Sequence, residues 1–108
     1  MMLDDESPFR KKVYRACQCI PEGRVTTYKH LAQAIDCNSS QAVGQALRNN
    51  PYAPEVPCHR VIKTNRRLGG FYGQVEGEAV LKKKNLLQQE GVIFDNDDRI
   101  NKACIFTF

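Results

Sequence analysis

Apolar residues recur near the start of the chain at steps of three and four: Phe9, Val13, Ala16, Cys17 and Ile20. That period is one face of an α-helix, and Ser7 followed by Pro8 supplies a cap and a first-turn residue that needs no amide partner. The spacing predicts a helix over 8–20, ended by Pro21 and Gly23. Val25 and Thr26 read as a short extended piece, after which Thr27 caps a second helix over 28–35 with Leu31, Ala32 and Ile35 inward. Residues 36–38 make a turn. Asn38 or Ser39 then caps a third helix that reaches Arg48 and is stopped by Asn49, Asn50 and Pro51. The Pro-bounded stretch 54–62 lacks helical period and reads as a loop with a short buried strand. Residues 68–73 form a glycine-rich loop carrying Phe71 and Tyr72. Ala79 and Val80 repeat seven residues later as Leu86 and Leu87, which predicts a last helix over 78–90 with Gly91 as its stop. Residues 103–106 are a further apolar stretch, read as a strand or a tail. The whole pattern is mainly α with short strands (α+β): a tail over 1–7 and one domain over 8–108.

The third helix is built from small residues, Ala42, Val43, Gly44, Ala46 and Leu47, so it can approach a partner closely. With the second helix and the intervening turn it fits a helix-turn-helix, although short helix pairs also serve as plain packing units.

Charge sharpens this picture. The chain of 108 residues carries a formal net charge of +4, but its acids cluster at the two ends. Residues 7–94 hold 14 bases against 6 acids, an excess of about +8. Such an excess favours an anionic partner, nucleic acid first, and is also what a well-solvated surface looks like. No apolar run approaches the ~18 residues of a membrane span, and an acidic start suits neither a secretion signal nor a transit peptide. The expected location is nuclear or cytoplasmic, neither secreted nor in a membrane. Five cysteines, an odd number, argue against a disulfide framework.

The chemistry concentrates at Pro57-Cys58-His59-Arg60-Val61. A cysteine is a nucleophile as its thiolate, and an adjacent imidazole with Arg60 and Arg48 nearby favours that form. On an extended strand Cys58 and His59 would face opposite sides, so a bridging water or a turn is needed to link them. Taken as a bare dipeptide, the same pair is also a buried structural thiol beside a surface histidine. The lysine run 82–84 reads as a solvated helix face, and Arg66 and Arg67 as the better phosphate contacts. A thiol-redox or zinc reading is disfavoured, because Cys17-x-Cys19 lies in a helix and no C-x-x-C pair is present.

The Pro57–Val61 segment combines with Asn50, the Ala42–Arg48 helix, Tyr28 upstream, Gly69-Gly70-Phe71, and Glu90-Gly91. Together they resemble the O6-alkylguanine-DNA alkyltransferases over residues 8 to about 94. The resemblance implies a winged-helix-like helix-turn-helix domain carrying an active-site loop. It also implies direct transfer of an alkyl group from O6 of guanine to Cys58, once per molecule, with no metal and no cofactor. His59 would take the thiol proton through a water, with Glu90 orienting it. Asn50 would hold the turn presenting Cys58, and Tyr28 would protonate the departing base. Arg60 would pair within the domain, Val61 would contact the flipped base through its backbone, and Gly69, Gly70, Phe71, Tyr72 and Gly73 would line its pocket. Thr27, Ser39, Ser40, Gln41, Ala42, Gly44, Arg48 and Arg66 would meet double-stranded DNA, the helix from the minor-groove side, the protein acting as a monomer.

Four departures stand out. Gln41 replaces the family's usual arginine finger, the turn between the two helices is one residue shorter, His30 replaces an acid, and the usual N-terminal domain is absent. The rival expectation is an alkyltransferase-like sensor that binds the lesion and recruits a separate repair partner. Such relatives carry Trp or Ala at the cysteine, whereas this chain has Cys58.

Overall fold

Helix starts are fixed by side chains that take up otherwise orphaned amides. A computed structural model describes residues 3–72, 74 and 76–108. In it Ser7 accepts from the Arg10 amide at 3.3 Å and Pro8 opens α1 (Pro8–Gln18). Thr27 caps α2 (Tyr28–Ala34) by accepting from the His30 amide at 3.0 Å. Ser39 caps α3 (Ser40–Arg48) by accepting from the Ala42 amide at 3.1 Å. α4 (Glu78–Gln89) ends before Gly91, whose φ of 96° is the left-handed conformation that stops a helix.

α1 packs on both α2 and α3, burying Val13, Tyr14 and Cys17 with Leu31, Ala32, Val43, Ala46 and Leu47. Ile20 stays in this core although the helix has ended before it. Tyr14 carries a polar group into the core and satisfies it by donating to the Ala46 carbonyl at 2.8 Å, which ties α1 to α3. The same cluster continues into Val56, Cys58, Val61 and Phe71, so Cys58 sits directly on the core. A second cluster joins Val25, Ile62, Leu87, Val92, Ile100 and Cys104.

Between them runs a two-stranded parallel sheet, β1 (Thr26–Thr27) and β2 (Val61–Ile62), with Thr26 opposite Val61. Val25 also bridges Ile105, its amide donating to Cys104 O at 2.9 Å and its carbonyl accepting from Phe106 at 2.6 Å. The apolar stretch 103–106 is thus a bridge partner of Val25. The architecture is mainly α with short strands, as the periodicity predicts. Leu3, in the segment read as a tail, is buried in the first core from a single 3-10 turn, Leu3–Asp5. The segment 58–60 is also a 3-10 turn rather than strand, because the Arg60 amide turns back onto Pro57 O at 2.9 Å. Extended structure begins only at Val61.

Candidate active site

The approach to Cys58 is shaped by one side chain. Buried Asn50, just past α3, donates from Nδ2 to Val56 O at 2.9 Å and accepts the Tyr52 amide on Oδ1 at 2.8 Å. Both ends of its amide clamp the segment that delivers Cys58, so its placement depends on the end of α3 rather than on loop flexibility.

Cys58 Sγ opens into a cavity of about 230 Å³ walled by Tyr28, Gly44, Leu47 and Arg48 on one side and Gly70, Phe71 and Tyr72 on the other. The Tyr72 hydroxyl stands 3.9 Å from the sulfur. Burial, with Cys58 and Cys17 nearby, pushes the Tyr28 phenol up to about 12, so it remains a proton donor at neutral pH. Cys17 is also pushed up by burial and packs as a thiol.

Behind the cysteine, the 3-10 turn sends His59 and Arg60 to one acid. His59 Nε2 lies 3.0 Å from Glu90 Oε2. Arg60 donates from Nε to Oε1 at 2.9 Å and from Nη2 to Oε2 at 2.7 Å, while its Nη1 reaches Ile20 O at 2.8 Å. Burial favours the neutral acid at Glu90, but the hydrogen bonds from Arg60 and His59 outweigh it and hold the group below its usual value. Burial lowers His59, more than Glu90 raises it. The arrangement is therefore a neutral imidazole donating from Nε2 to a carboxylate, which leaves Nδ1 as an acceptor.

Lys83 was missed by the sequence reading. It lies on α4, fully buried, and its ammonium donates to Val61 O at 2.7 Å, Leu68 O at 2.7 Å and Gly70 O at 3.0 Å. The three donors use every N–H it has and fasten the glycine-rich loop to β2. Burial lowers its pKa to about 7. The run 82–84 is therefore not a uniformly solvated face. A usable signal was present, since position 83 falls on the stripe of Ala79 and Leu87.

The expected DNA-facing residues divide. Ser40, Gln41, Gly44 and Arg48, joined by Gln45 and Tyr28, line a shallow groove of about 370 Å³ along α3. Tyr28, Gly44 and Arg48 belong to this groove and to the reactive cavity alike. Ser39 is exposed and caps α3, and Ala42 is half-buried. Thr27 does not face outward: it is buried and its hydroxyl is committed to the α2 cap. Arg66 uses Nη1 to bond Ile100 O at 3.0 Å and Asp95 at 3.4 Å. Arg67 instead joins Lys63, Gly69, Gly70 and Tyr28 around a neighbouring cavity of about 510 Å³.

Of the expected pocket residues, Gly70, Phe71 and Tyr72 line the reactive cavity, whereas the Val61 side chain is in the core. Gly69 has φ of 72°, and a Cβ there would stand 3.0 Å from Lys63 Cγ and 3.5 Å from the Tyr28 ring, so a side chain at this position would be strained and crowded. Gly73 lies outside the described residues. No helix among the described residues is long and apolar enough to cross a membrane.

The family model for the DNA-binding domain of 6-O-methylguanine DNA methyltransferase matches residues 8–92. The chain is 42% identical over 85 residues to the methylated-DNA–protein-cysteine methyltransferase of Saccharolobus islandicus, covering 79% of this chain and 52% of that protein. It thus spans about half the length of the curated relatives it matches. Among solved structures, Mycobacterium tuberculosis O6-methylguanine methyltransferase superposes with a TM-score of 0.69 at 34% identity, covering 80% of this chain and 50% of that one. Atl1 of S. pombe, in complex with damaged DNA containing O6-carboxymethylguanine, superposes with a TM-score of 0.76 at 25% identity over the full length of both chains.

Proposed function

Since the chain belongs to the family of 6-O-methylguanine DNA methyltransferase DNA-binding domains, we propose that it repairs O6-alkylguanine in duplex DNA by moving the alkyl group to its own Cys58. The observation that carries this reading is the cavity holding Cys58, whose lining residues Tyr28, Gly44 and Arg48 also line the α3 groove.

A guanine stacked in a duplex hides O6 from a buried sulfur, so the nucleotide is rotated out at a cost of a few kcal/mol. The small-faced α3 lies along the minor groove, with Ser40, Gln41, Gly44 and Arg48 at the backbone and at the gap left by the base. Thr27 acts at a distance, through the α2 cap, rather than as a contact, and Arg66 offers its remaining N–H groups to phosphate. The flipped base enters between Tyr28 and the Gly70–Tyr72 wall, where Phe71 or Tyr72 packs against it, and backbone at Val61 and Gly69 completes the fit.

His59, oriented by Glu90, accepts the Cys58 proton through a water. The sulfur attacks the alkyl carbon, the carbon–O6 bond breaks, and its electron pair leaves with the guanine. Tyr28 supplies the proton that makes the departing base neutral, and the proton that Cys58 gave to His59 passes back through water to the Tyr28 phenolate. The product is a thioether and an unmodified guanine. A thioether does not hydrolyse, so each molecule reacts once. The domain over 8–108, with Leu3 packed into its core, acts as a monomer, in the nucleus or the cytoplasm.

The end-to-end match to Atl1 favours a second reading, a lesion sensor that recruits a separate repair partner. Intact-protein mass after incubation with a duplex containing O6-methylguanine separates the two. Repair predicts a gain of one methylene that vanishes in Cys58→Ala. Tight, lesion-selective binding with no gain would make the protein a sensor.

A further inference from the structure

We propose that Tyr72 is a further catalytic residue, its hydroxyl holding Cys58 Sγ in the resting protein and donating a hydrogen bond to the sulfur as the thiolate forms. This rests on the alkyl-transfer reading and goes beyond it, since there Tyr72 only lines the pocket.

Three observations meet at this side chain. First, the hydroxyl lies 3.9 Å from Sγ, within reach of a hydrogen bond to an atom as large as sulfur. Second, the backbone is bent to place it there. Phe71 and Gln74 close a tight turn, amide to carbonyl both ways at 2.8 and 3.0 Å, and Tyr72 occupies its first corner with φ of 50°. That left-handed conformation suits glycine, asparagine or aspartate and disfavours a bulky residue. A tyrosine held there points to a use for its side chain. Third, the ring is braced, its centroid 4.5 Å from that of Phe71, while the residue as a whole is 43% exposed. The hydroxyl is thus held from within yet lies where the pocket opens.

Three other groups near the sulfur have roles elsewhere. Lys83 has given its three N–H groups to backbone carbonyls and Tyr14 has given its hydroxyl to Ala46. Tyr28 is assigned to the departing base. Burial, and then Cys58 itself, raise the Tyr72 phenol to about 12, so it keeps its proton throughout. In the resting state Cys58 S–H donates to the Tyr72 oxygen. Once His59 has taken the thiol proton, the hydroxyl turns and donates to the anionic sulfur. When sulfur bonds to the alkyl carbon and the carbon–O6 pair leaves with guanine, the sulfur becomes a neutral thioether, a weak acceptor, and the hydroxyl is released.

The test is Tyr72→Phe in the full chain, which removes the hydroxyl and keeps the ring. Two rates are read: single-turnover methyl transfer from an O6-methylguanine duplex, and peptide-resolved labelling of Cys58 by iodoacetamide without DNA. Duplex affinity is compared in the Cys58→Ala background with and without Tyr72→Phe. Both rates should fall about tenfold, the scale of a hydrogen bond to a charged group, with affinity changed less than about twofold. A purely space-filling role would leave both rates at the wild-type value, and a shielding role would speed labelling; either overturns the proposal. Slower labelling in Tyr72→Phe, with no methyl transfer by the wild-type protein, would uphold the hydroxyl's action on sulfur and sink the alkyl-transfer reading instead. Normal transfer by both proteins would do the reverse.

Discussion

Replacing Glu90 with glutamine keeps the side-chain length and removes one charge from the point where His59 and Arg60 converge. Glu90 accepts three hydrogen bonds, two on Oε2 and one on Oε1. A glutamine has one acceptor oxygen, and its NH2 group must face at least one of the same donors. One bond is therefore lost, and the other two lose their charge assistance. The Glu90 and Arg60 side chains are only 13% and 16% exposed, so solvent does little to replace what is lost. A hydrogen bond to a charged group contributes ~1.5–3 kcal/mol, and removing one partner of a buried pair costs ~3–5 kcal/mol. Allowing for the bonds an amide retains, Glu90→Gln should destabilise the fold by roughly 2–4 kcal/mol. Urea unfolding at pH 7 should show a lower midpoint at unchanged slope, and thermal unfolding a fall of roughly 10–25 °C. The cost should also be coupled: Arg60→Met combined with Glu90→Gln should destabilise less than the two singles added, by at least ~1 kcal/mol. A Glu90→Gln protein within about 1 kcal/mol of wild type, or strictly additive singles, would refute the reasoning that Glu90 joins the two side chains.

Three further outcomes are expected. Burial depresses His59 below its ordinary 6.5, so below that pH the unfolded chain binds more protons and stability declines, declining further toward pH 4 as Glu90 protonates; flat denaturation midpoints from pH 7 to 5 would contradict this. Lys83, lowered from 10.5 to about 7, works in another window: the unfolded chain holds more protons between those values, so stability rises with pH there, and Lys83→Met should abolish that slope. The same variant frees the glycine-rich loop from β2, and its single-turnover rate should fall at least about tenfold. Gln41→Arg, on the groove face of α3, should tighten binding to an alkylated duplex several-fold and steepen its salt dependence, and unchanged affinity would remove Gln41 from the interface.

What the sequence made legible follows from how local the cause was. α1, α2 and α3 are marked by apolar period and by capping residues within four positions of each start, Ser7, Thr27 and Ser39, and all three caps form. Cys58 was legible as a candidate nucleophile from the Pro57–Val61 segment set among Tyr28, Asn50, Gly69–Phe71 and Glu90. The rest depended on distant chain. Lys83 looks like one of three solvated lysines until Val61, Leu68 and Gly70 bring their carbonyls to it. The bridge of Ile105 to Val25 joins segments 80 positions apart, and no short-range period announces it. Charge and a place beside the glycine-rich loop mark Arg66 in the sequence, but nothing local announces that its Nη1 bonds Ile100 O and Asp95. Within 54–62, whose Pro-bounded pattern suggests a loop with a short buried strand, the turn of Arg60 back onto Pro57 fixes the geometry at Cys58–Arg60 and sends His59 and Arg60 to the same carboxylate.

The most direct test is a titration of the protein with an O6-methylguanine duplex, read as methyl groups per molecule and located by peptide mapping. The account predicts a plateau at one methyl per protein, all of it on the Cys58 peptide, with repaired guanine appearing in equal amount. Methyl on another residue, continued turnover past one equivalent, or no transfer from a duplex that is demonstrably bound would contradict it.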